Sequence, residues 1–257
     1  MNCITLKGIV LLIVALCFGL SSCATVNITP EMVQNNLHVV IPEGNGKFPV
    51  VIYYQGTGGH NRRAEEWASW FKTMGVASAI VDNAWIRHRK RNPTGSRYTK
   101  DAAFAWDLLK TNPKIDTSRF ALMGFSRGGG QALDAARHFK GKRVAPSFVF
   151  ALYPGGWGRR DTCLCSHRKP TKVHIFYGDL DDIEEYDGTL SACRNLAKWK
   201  DNVKFHLLYG ATHCYDDTKI FSFYCCGGKQ VSVMPNPKAV EKTKAIIEKA
   251  IKPGWNL

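Results

Sequence analysis

The sequence has no internal repeat, no low-complexity stretch and no change of composition that would mark a second domain. These absences exclude repeat proteins, fibrous chains and largely disordered chains. Hydrophobic residues make up 45% and charged residues 22% of the 257 residues, as in an ordinary globular protein. A chain of this length can bury one sizeable core. We therefore expect a single domain over residues 37–257, preceded by a short tether over residues 23–36.

Acidic residues are scarce relative to basic ones. The chain has 21 Asp and Glu against 35 Lys and Arg, which gives a net charge of +14. Such a charge attracts nucleic acid, anionic lipid or acidic substrates. The basic residues are scattered, however, apart from a run at residues 87–91, and no nucleic-acid module accompanies them. We expect no nucleic-acid partner and interpret the charge as a solvated basic surface beside an anionic membrane.

No apolar run is long enough to cross a membrane comfortably. The run at residues 9–20 is too short, and small residues follow it. Leu20-Ser-Ser-Cys23 resembles a bacterial lipobox, the signal at which a lipid is attached to Cys23 and residues 1–22 are removed. Ala24 rather than Asp follows it, which by the rule for such lipoproteins favours the outer membrane. We expect an exported periplasmic or cell-envelope lipoprotein; a plain secretory signal or an uncleaved anchor is the alternative.

Standard metal-binding spacings are also lacking. Cys163-Leu-Cys-Ser-His167 contains ligand-type residues, but its spacing is not that of a zinc motif. An even number of cysteines in an exported protein favours disulfides, with buried free thiols as the alternative. We expect neither a metal nor another cofactor. The cysteines outside the signal and the lipobox are Cys163, Cys165, Cys193, Cys214, Cys225 and Cys226.

Apolar, β-branched runs alternate with segments of helical spacing along almost the whole chain. This alternation predicts a mostly parallel, doubly wound sheet with helices on both faces. Residues 214–237 show neither pattern and are expected to be irregular. The predicted strands are residues 37–41, 48–54, 76–81, 120–123, 148–153, 173–177 and 203–209, and the predicted helices are residues 64–74, 99–109, 131–139, 189–199 and 238–251.

Gly124-Phe-Ser-Arg-Gly128 stands between a predicted strand and a predicted helix. Such a turn forces Ser126 into a strained backbone conformation, and only small residues fit two positions before and after it. A serine becomes a nucleophile when a histidine takes its proton and a carboxylate orients that histidine. His213, and before it Asp181 and Asp182, follow later strands. Because the carboxyl ends of parallel strands share one edge of a sheet, we expect these residues to converge there.

The order serine, aspartate, histidine is that of α/β-hydrolases. The chain resembles this superfamily from about residue 48 to residue 250 and, within it, the dienelactone hydrolase-like family. Two departures stand out: Gln55-Gly56 replaces the His-Gly of many relatives, and Ser126 replaces the cysteine nucleophile of true dienelactone hydrolases. The resemblance rests on Gln55-Gly-Thr-Gly-Gly59, Gly124-Phe-Ser-Arg-Gly-Gly129, Gly178-Asp-Leu-Asp-Asp182 and Gly210-Ala-Thr-His213.

The resemblance implies an α/β-hydrolase fold and a serine hydrolase that cleaves a small-molecule carboxylic ester without a cofactor. The family's Gly-x-x-Asp pattern selects Asp181 as the triad acid, with Asp182 and Asp179 as fallbacks. The N–H of Arg127 and, by residue matching, that of Thr57 would form the oxyanion hole. A peptidase or amidase on the same triad and a non-catalytic envelope-binding module are the alternatives.

Several other residues have two interpretations. Three histidines lie within predicted strands and are interpreted as structural. His60 would touch substrate or solvent, and Cys214 would either brace the histidine loop through a disulfide or lie buried and inert. The aromatic residues near the strand ends would either line a cleft or pack in the core. The histidines are His38, His174 and His206, and the aromatic residues are Trp85, Tyr153 and Trp157.

Overall fold

The computed structural model describes most of the chain from residue 28 onwards. Some of the sequence predictions fall on residues outside the described ones. These residues are Cys23, His60, Trp85, the basic run at 87–91, Trp157 and Cys163 to His167. The described residues are 28–57, 59, 61–82, 100–139, 144–155, 171–183, 189–225 and 228–257.

Strands and helices alternate as the sequence predicts. The strands are β1 (Leu37–Val40), β2 (Phe48–Tyr54), β3 (Ala77–Val81), β4 (Ile115–Phe125), β5 (Phe148–Leu152), β6 (Lys172–Gly178), β7 (Val203–Leu208), β8 (Phe221–Cys225) and β9 (Lys229–Val233). The helices are α1 (Pro30–Gln34), α2 (Arg62–Thr73), α3 (Asp101–Leu109), α4 (Arg127–Ala135), α5 (Thr189–Trp199) and α6 (Pro237–Trp255), with a 3-10 turn at Ala136–Phe139.

Seven of these strands form one sheet in the order β1-β3-β2-β4-β5-β6-β7. Every neighbouring pair is parallel except β1 and β3, which are antiparallel. The strand order reverses direction at β2, so β2 and β4 lie side by side in the middle of the sheet. The loops that follow the central strands therefore meet at one edge, where α/β proteins build their sites.

The central strands are buried on both faces, as their unbroken apolar runs predict. In β2, Val50, Ile52 and Tyr54 belong to one core cluster, whereas Val51 and Tyr53 belong to the other. Helices α3, α4 and α5 cover the first face, and helices α2 and α6 cover the second. This is the doubly wound arrangement predicted from the alternation of elements.

Two stretches differ from the sequence predictions. The tether contains α1, which Thr29 caps by accepting from the N–H of Met32, and Val33 of this helix is fully buried in the core. The segment expected to be irregular contains the β8–β9 hairpin, whose Val231 and Val233 are fully buried. Both elements are too short to show a periodic pattern, and packing against the domain defines them.

The boundaries of three longer elements also differ. Helix α4 begins at Arg127, directly after Ser126, rather than at Gln131. Strand β4 begins at Ile115 rather than Phe120, and a register shift at Pro49/Val50 accommodates the extra pairing with β2. Helix α6 continues to Trp255, which is buried against the core. No helix among the described residues has the length and apolarity that a membrane span requires.

Candidate active site

The turn between β4 and α4 carries Ser126. Its backbone has φ 53° and ψ −124°, in the region that residues with a side chain rarely adopt. A Cβ on Gly124 would collide with the carbonyl of Gly128, and a Cβ on Gly128 would collide with the carbonyl of Tyr54. The helix can therefore approach the strand closely only because both flanking positions are glycine, as the pattern predicts.

Ser126, His213 and Asp181 form a continuous chain of hydrogen bonds. Ser126 Oγ lies 2.8 Å from His213 Nε2, and His213 Nδ1 lies 2.8 Å from Asp181 Oδ2. A carboxylate can only accept, so the proton of the neutral imidazole is assigned to Nδ1 and the lone pair to Nε2. His213 is 1% exposed and Asp181 is 5% exposed, so water does not compete for the bond between them. In this tautomer Nε2 is ready to accept the Ser126 proton.

The geometry distinguishes the three candidate aspartates. Asp181 uses Oδ2 for His213 and Oδ1 to accept from the N–H of Ile183 at 3.0 Å. Asp182 instead accepts from the N–H of Ser232 at 3.4 Å, and Asp179 accepts from the N–H of Gly210 at 2.6 Å. The structure brings only the first of these carboxylates to the imidazole.

The loops that carry Asp181 and His213 are joined to each other. The N–H of Leu180 donates to the carbonyl of Ala211 at 3.0 Å. A Cβ on Gly178 would overlap that same carbonyl, so the approach of the two loops requires glycine at this position. From below, Asn236 donates to the carbonyl of Gly210 at 2.9 Å. These contacts fix the separation of the acid and the histidine.

The electrostatic environment favours a charged imidazole. Burial disfavours the imidazolium, whereas the Cys214 thiol group and the Asp181 carboxylate beside the ring favour it, and together they raise the pKa of His213 to about 10. An ordinary histidine has a pKa of 6.5. The same neighbours stabilise the imidazolium that forms when the ring takes the Ser126 proton.

Backbone N–H groups are available beside Ser126. Arg127 is the first residue of α4, so its N–H has no acceptor within the helix, and the positive end of the helix dipole adds to it. Gly56 lies on the other side, because a Cβ added there would be 3.7 Å from the Cβ of Ser126. Thr57 follows in the same loop and is exposed. These are the two segments from which the sequence predicts the oxyanion donors.

Several residues that surround His213 and its loop were not predicted from the sequence to do so. Tyr153 is fully buried, and its ring packs edge-on against the imidazole with centroids 4.8 Å apart. Asp216, three residues after His213, contacts both Arg63 and Trp67 of α2. No short sequence motif marks these residues, because they lie on three separate elements. Cys214 is a buried free thiol rather than part of a disulfide.

The histidines that lie in strands make contacts within the sheet and not with the Ser126 site. Nδ1 of His174 lies 3.1 Å from Nε2 of His206 on the neighbouring strand, and the two rings stack. Burial and nearby positive charges lower the pKa of each ring to about 4. His38 lies in β1 at the far side of the sheet. Among the described residues, no group of three or more His, Cys, Asp or Glu is arranged to hold a metal ion.

Comparison of the whole chain with solved structures defines the class of fold. Est1E from Butyrivibrio proteoclasticus, solved with ferulic acid bound, is 16% identical with a TM-score of 0.57, over 84% of this chain and 94% of that one. A dienelactone hydrolase-like promiscuous phosphotriesterase from metagenomic libraries is 17% identical with a TM-score of 0.61, over 85% and 98%. A hyperthermophilic esterase from the archaeon Pyrobaculum calidifontis is 14% identical with a TM-score of 0.58, over 85% and 81%.

The chain therefore has the α/β-hydrolase fold, as the order of its motifs predicts. Sequence comparison adds nothing to this, since no protein-family model and no curated protein sequence matches the chain.

Proposed function

We propose that the protein is a serine hydrolase of the dienelactone hydrolase-like type that cleaves carboxylic esters of small molecules. The observation that carries this proposal is the unbroken path from Ser126 Oγ through His213 to Asp181, with both hydrogen bonds at 2.8 Å. A serine in a strained turn at a helix N-terminus, with a buried base and acid, has the geometry of an activated nucleophile. The esterases among the similar folds are consistent with this reaction.

The reaction begins when Ser126 Oγ attacks the ester carbonyl and its proton passes to His213 Nε2. Asp181 holds the imidazole in the right tautomer and stabilises the imidazolium. The N–H groups of Arg127 and Thr57 hold the developing oxyanion, and each such donor contributes about 3–4 kcal/mol. The C–O bond to the leaving alkoxide then breaks, and that oxygen takes the proton back from His213.

Water completes the cycle. It gives a proton to His213 Nε2 as it attacks the acyl-Ser126 carbonyl, and Ser126 Oγ leaves with that proton. The acid is released and the enzyme returns to its starting state. No step transfers electrons or needs a co-substrate other than water.

Replacement of the nucleophile tests the reaction. Ser126→Ala should abolish hydrolysis of p-nitrophenyl esters because the acyl-enzyme of the proposed reaction forms on Ser126 Oγ, and circular dichroism should show an unchanged fold. A series of ester and amide substrates of graded size compares carboxylesterase with amidase activity. Retained ester turnover in a folded Ser126→Ala sample would contradict the assignment.

We also propose that the chain is an exported lipoprotein anchored at Cys23, as its lipobox-like sequence predicts. In a bacterial host, the wild-type chain should incorporate radiolabelled palmitate and fractionate with membranes, and Cys23→Ala should do neither. Equal labelling of both forms would contradict the anchor without bearing on the hydrolase.

A further inference from the structure

A buried polar cluster lies directly beneath the loop that carries His213. We define it as Arg63, Trp67, Tyr153 and Asp216. Its members come from the start of α2, from the end of β5 and from the histidine loop. None of them takes part in the mechanism above, so their polar contacts need another explanation.

Asp216 is the centre of this cluster. Its Oδ1 accepts from the Tyr153 hydroxyl at 2.6 Å, and its Oδ2 accepts from Trp67 Nε1 at 2.8 Å. Arg63 Nε lies 3.4 Å from the same Oδ1. The carboxylate is 5% exposed, so two hydrogen bonds and the ion-pair contact with Arg63 replace the water that it gives up on folding. Together these contacts hold the Asp216 carboxylate in one position.

Arg63 extends the cluster along the histidine loop. Its Nη2 forms an ion pair with Asp217, its Nη1 donates to the Tyr153 hydroxyl at 3.3 Å, and its Nη1 lies 3.6 Å from Cys214 Sγ. Cys214 and Asp217 are on the same loop as His213. The guanidinium of Arg63 therefore contacts the loop that carries His213 at Cys214, Asp216 and Asp217. Because Arg63 lies in α2, these contacts join the loop to the helix that follows the Gly56–Thr57 segment.

Tyr153 connects the cluster to the imidazole itself. Burial raises the pKa of Tyr153 well above its ordinary value, so the hydroxyl remains protonated and donates to Asp216. With the hydroxyl fixed, the ring lies against His213 at 4.8 Å. Tyr153 also has a positive φ of 35°, in a region that residues with a side chain rarely adopt.

We propose that Asp216, acting through Tyr153 and Arg63, is a positioning residue that holds the His213 ring in line with Ser126. The proposal rests on the proposed hydrolase function for its kinetic consequences. Its structural consequence, an imidazole held in one orientation, does not depend on which substrate the enzyme takes.

Two tyrosines on this site provide a matched pair of variants. Tyr153→Phe removes the hydroxyl that donates to Asp216 and keeps the ring. Tyr215→Phe removes an equally buried hydroxyl, which lies 2.8 Å from Thr243 Oγ1 and outside the cluster. Tyr153→Phe loses two hydrogen bonds, one to Asp216 and one from Arg63, whereas Tyr215→Phe loses one, so Tyr153→Phe should lose more thermal stability. A difference between them in any other property is due to the cluster.

The kinetic expectation separates positioning from stability. Tyr153→Phe should lower kcat roughly 10- to 100-fold with KM nearly unchanged, because a small displacement of the base costs rate and not binding. Tyr215→Phe should change kcat by less than about twofold. Combining Tyr153→Phe with Asp216→Ala should lower kcat little more than Asp216→Ala alone, since Asp216→Ala already removes the acceptor of the Tyr153 hydroxyl.

A spectroscopic readout does not depend on turnover. The proton on His213 Nδ1, shared with Asp181, should give a low-field resonance in the proton NMR spectrum. Tyr153→Phe should broaden or remove it by exchange, and Tyr215→Phe should leave it in place. If the resonance responds this way but no ester is turned over, the positioning role stands and the hydrolase proposal fails. If wild-type turnover requires Ser126 but the two variants match in kcat and in the NMR signal, the positioning role is wrong.

Discussion

At the scale of single residues, His213 is held by contacts on four sides. Its two nitrogens bond to Asp181 and Ser126, and its ring packs against Tyr153 and, with centroids 6.4 Å apart, against Phe223. Because the ring is already confined, it loses no further rotational entropy when the reaction begins. The acid and the nucleophile are therefore preorganised before substrate arrives.

The choice of triad acid gives the first prediction. Asp181→Asn should lower kcat by about 10⁴-fold, because an amide in that place favours the wrong tautomer of His213. Asp182→Asn is the matched control: it makes the same chemical change one residue away and should retain activity close to wild type. Steady-state kinetics on one p-nitrophenyl ester measures both. Greater loss in the Asp182 variant would reverse the assignment.

The raised pKa of His213 gives a prediction on pH. Only the neutral ring can take the Ser126 proton, and the folded-state pKa lies above the ordinary value of 6.5. The value of kcat/KM should therefore rise with pH through this pKa, with its acid limb above pH 6.5. A pH–rate profile of the wild-type enzyme measures the limb. An acid limb below pH 6.5 would show that burial outweighs the effect of Asp181 and Cys214 on the pKa of His213.

At the scale of elements, Asn236 has two functions. Its Oδ1 caps α6 by accepting from the N–H of Ala239 at 3.0 Å, and its Nδ2 donates to the carbonyl of Gly210, in the turn before His213. The start of a helix thus supports the histidine loop. Three segments therefore contact the loop that carries His213. They are the start of α6 through Asn236, the loop that carries Asp181 through Leu180, and α2 through Arg63.

This double contact predicts that Asn236→Ala lowers the free energy of unfolding by about 1–2 kcal/mol, as loss of an N-cap does. It should also lower kcat, because the support under Gly210 is lost. Thr29→Ala, which removes the cap of α1 far along the chain, is the control and should affect stability alone. Urea unfolding and steady-state kinetics measure the two effects. Equal activity in both variants would contradict a role for the α6 cap in the site.

The long central elements were predictable from the sequence, and the short ones were not. Strand β2 is an uninterrupted apolar run and α2 has helical spacing, so their patterns define them. The β8–β9 hairpin alternates weakly, and its form depends on the burial of Val231 and Val233. In the same way, Ser126, Asp181 and His213 stand in local motifs. The link between Arg63 and Asp216 spans distant parts of the chain, and no pattern within either segment reveals it.

At the scale of the whole molecule, the sheet contains a site of acid sensitivity. His174 and His206 face each other across β6 and β7, and each has a folded-state pKa of about 4 against an ordinary value of 6.5. As pH falls below 6.5, the unfolded chain binds these protons before the folded chain does. The stability contributed by the neutral pair is therefore present above pH 6.5 and is lost as pH falls to about 4.

We expect the urea midpoint to fall between pH 6.5 and pH 4, and this fall to be smaller in the double variant His174→Phe/His206→Phe. The substituted rings would lie beside Phe150 and Phe176, which already contact the pair. Equilibrium urea unfolding at several pH values measures both proteins. The same fall in the variant and the wild type would assign the acid sensitivity to other groups.

The central claim is that Ser126 is an activated nucleophile, and covalent labelling tests it most directly. A fluorophosphonate should form a bond from Ser126 Oγ to phosphorus with loss of fluoride, and peptide mapping by mass spectrometry should find one adduct, on Ser126. Ser126→Ala should carry none, and His213→Ala should label far more slowly. A folded wild-type protein that stays unlabelled, or that is labelled only at another residue, would contradict the account.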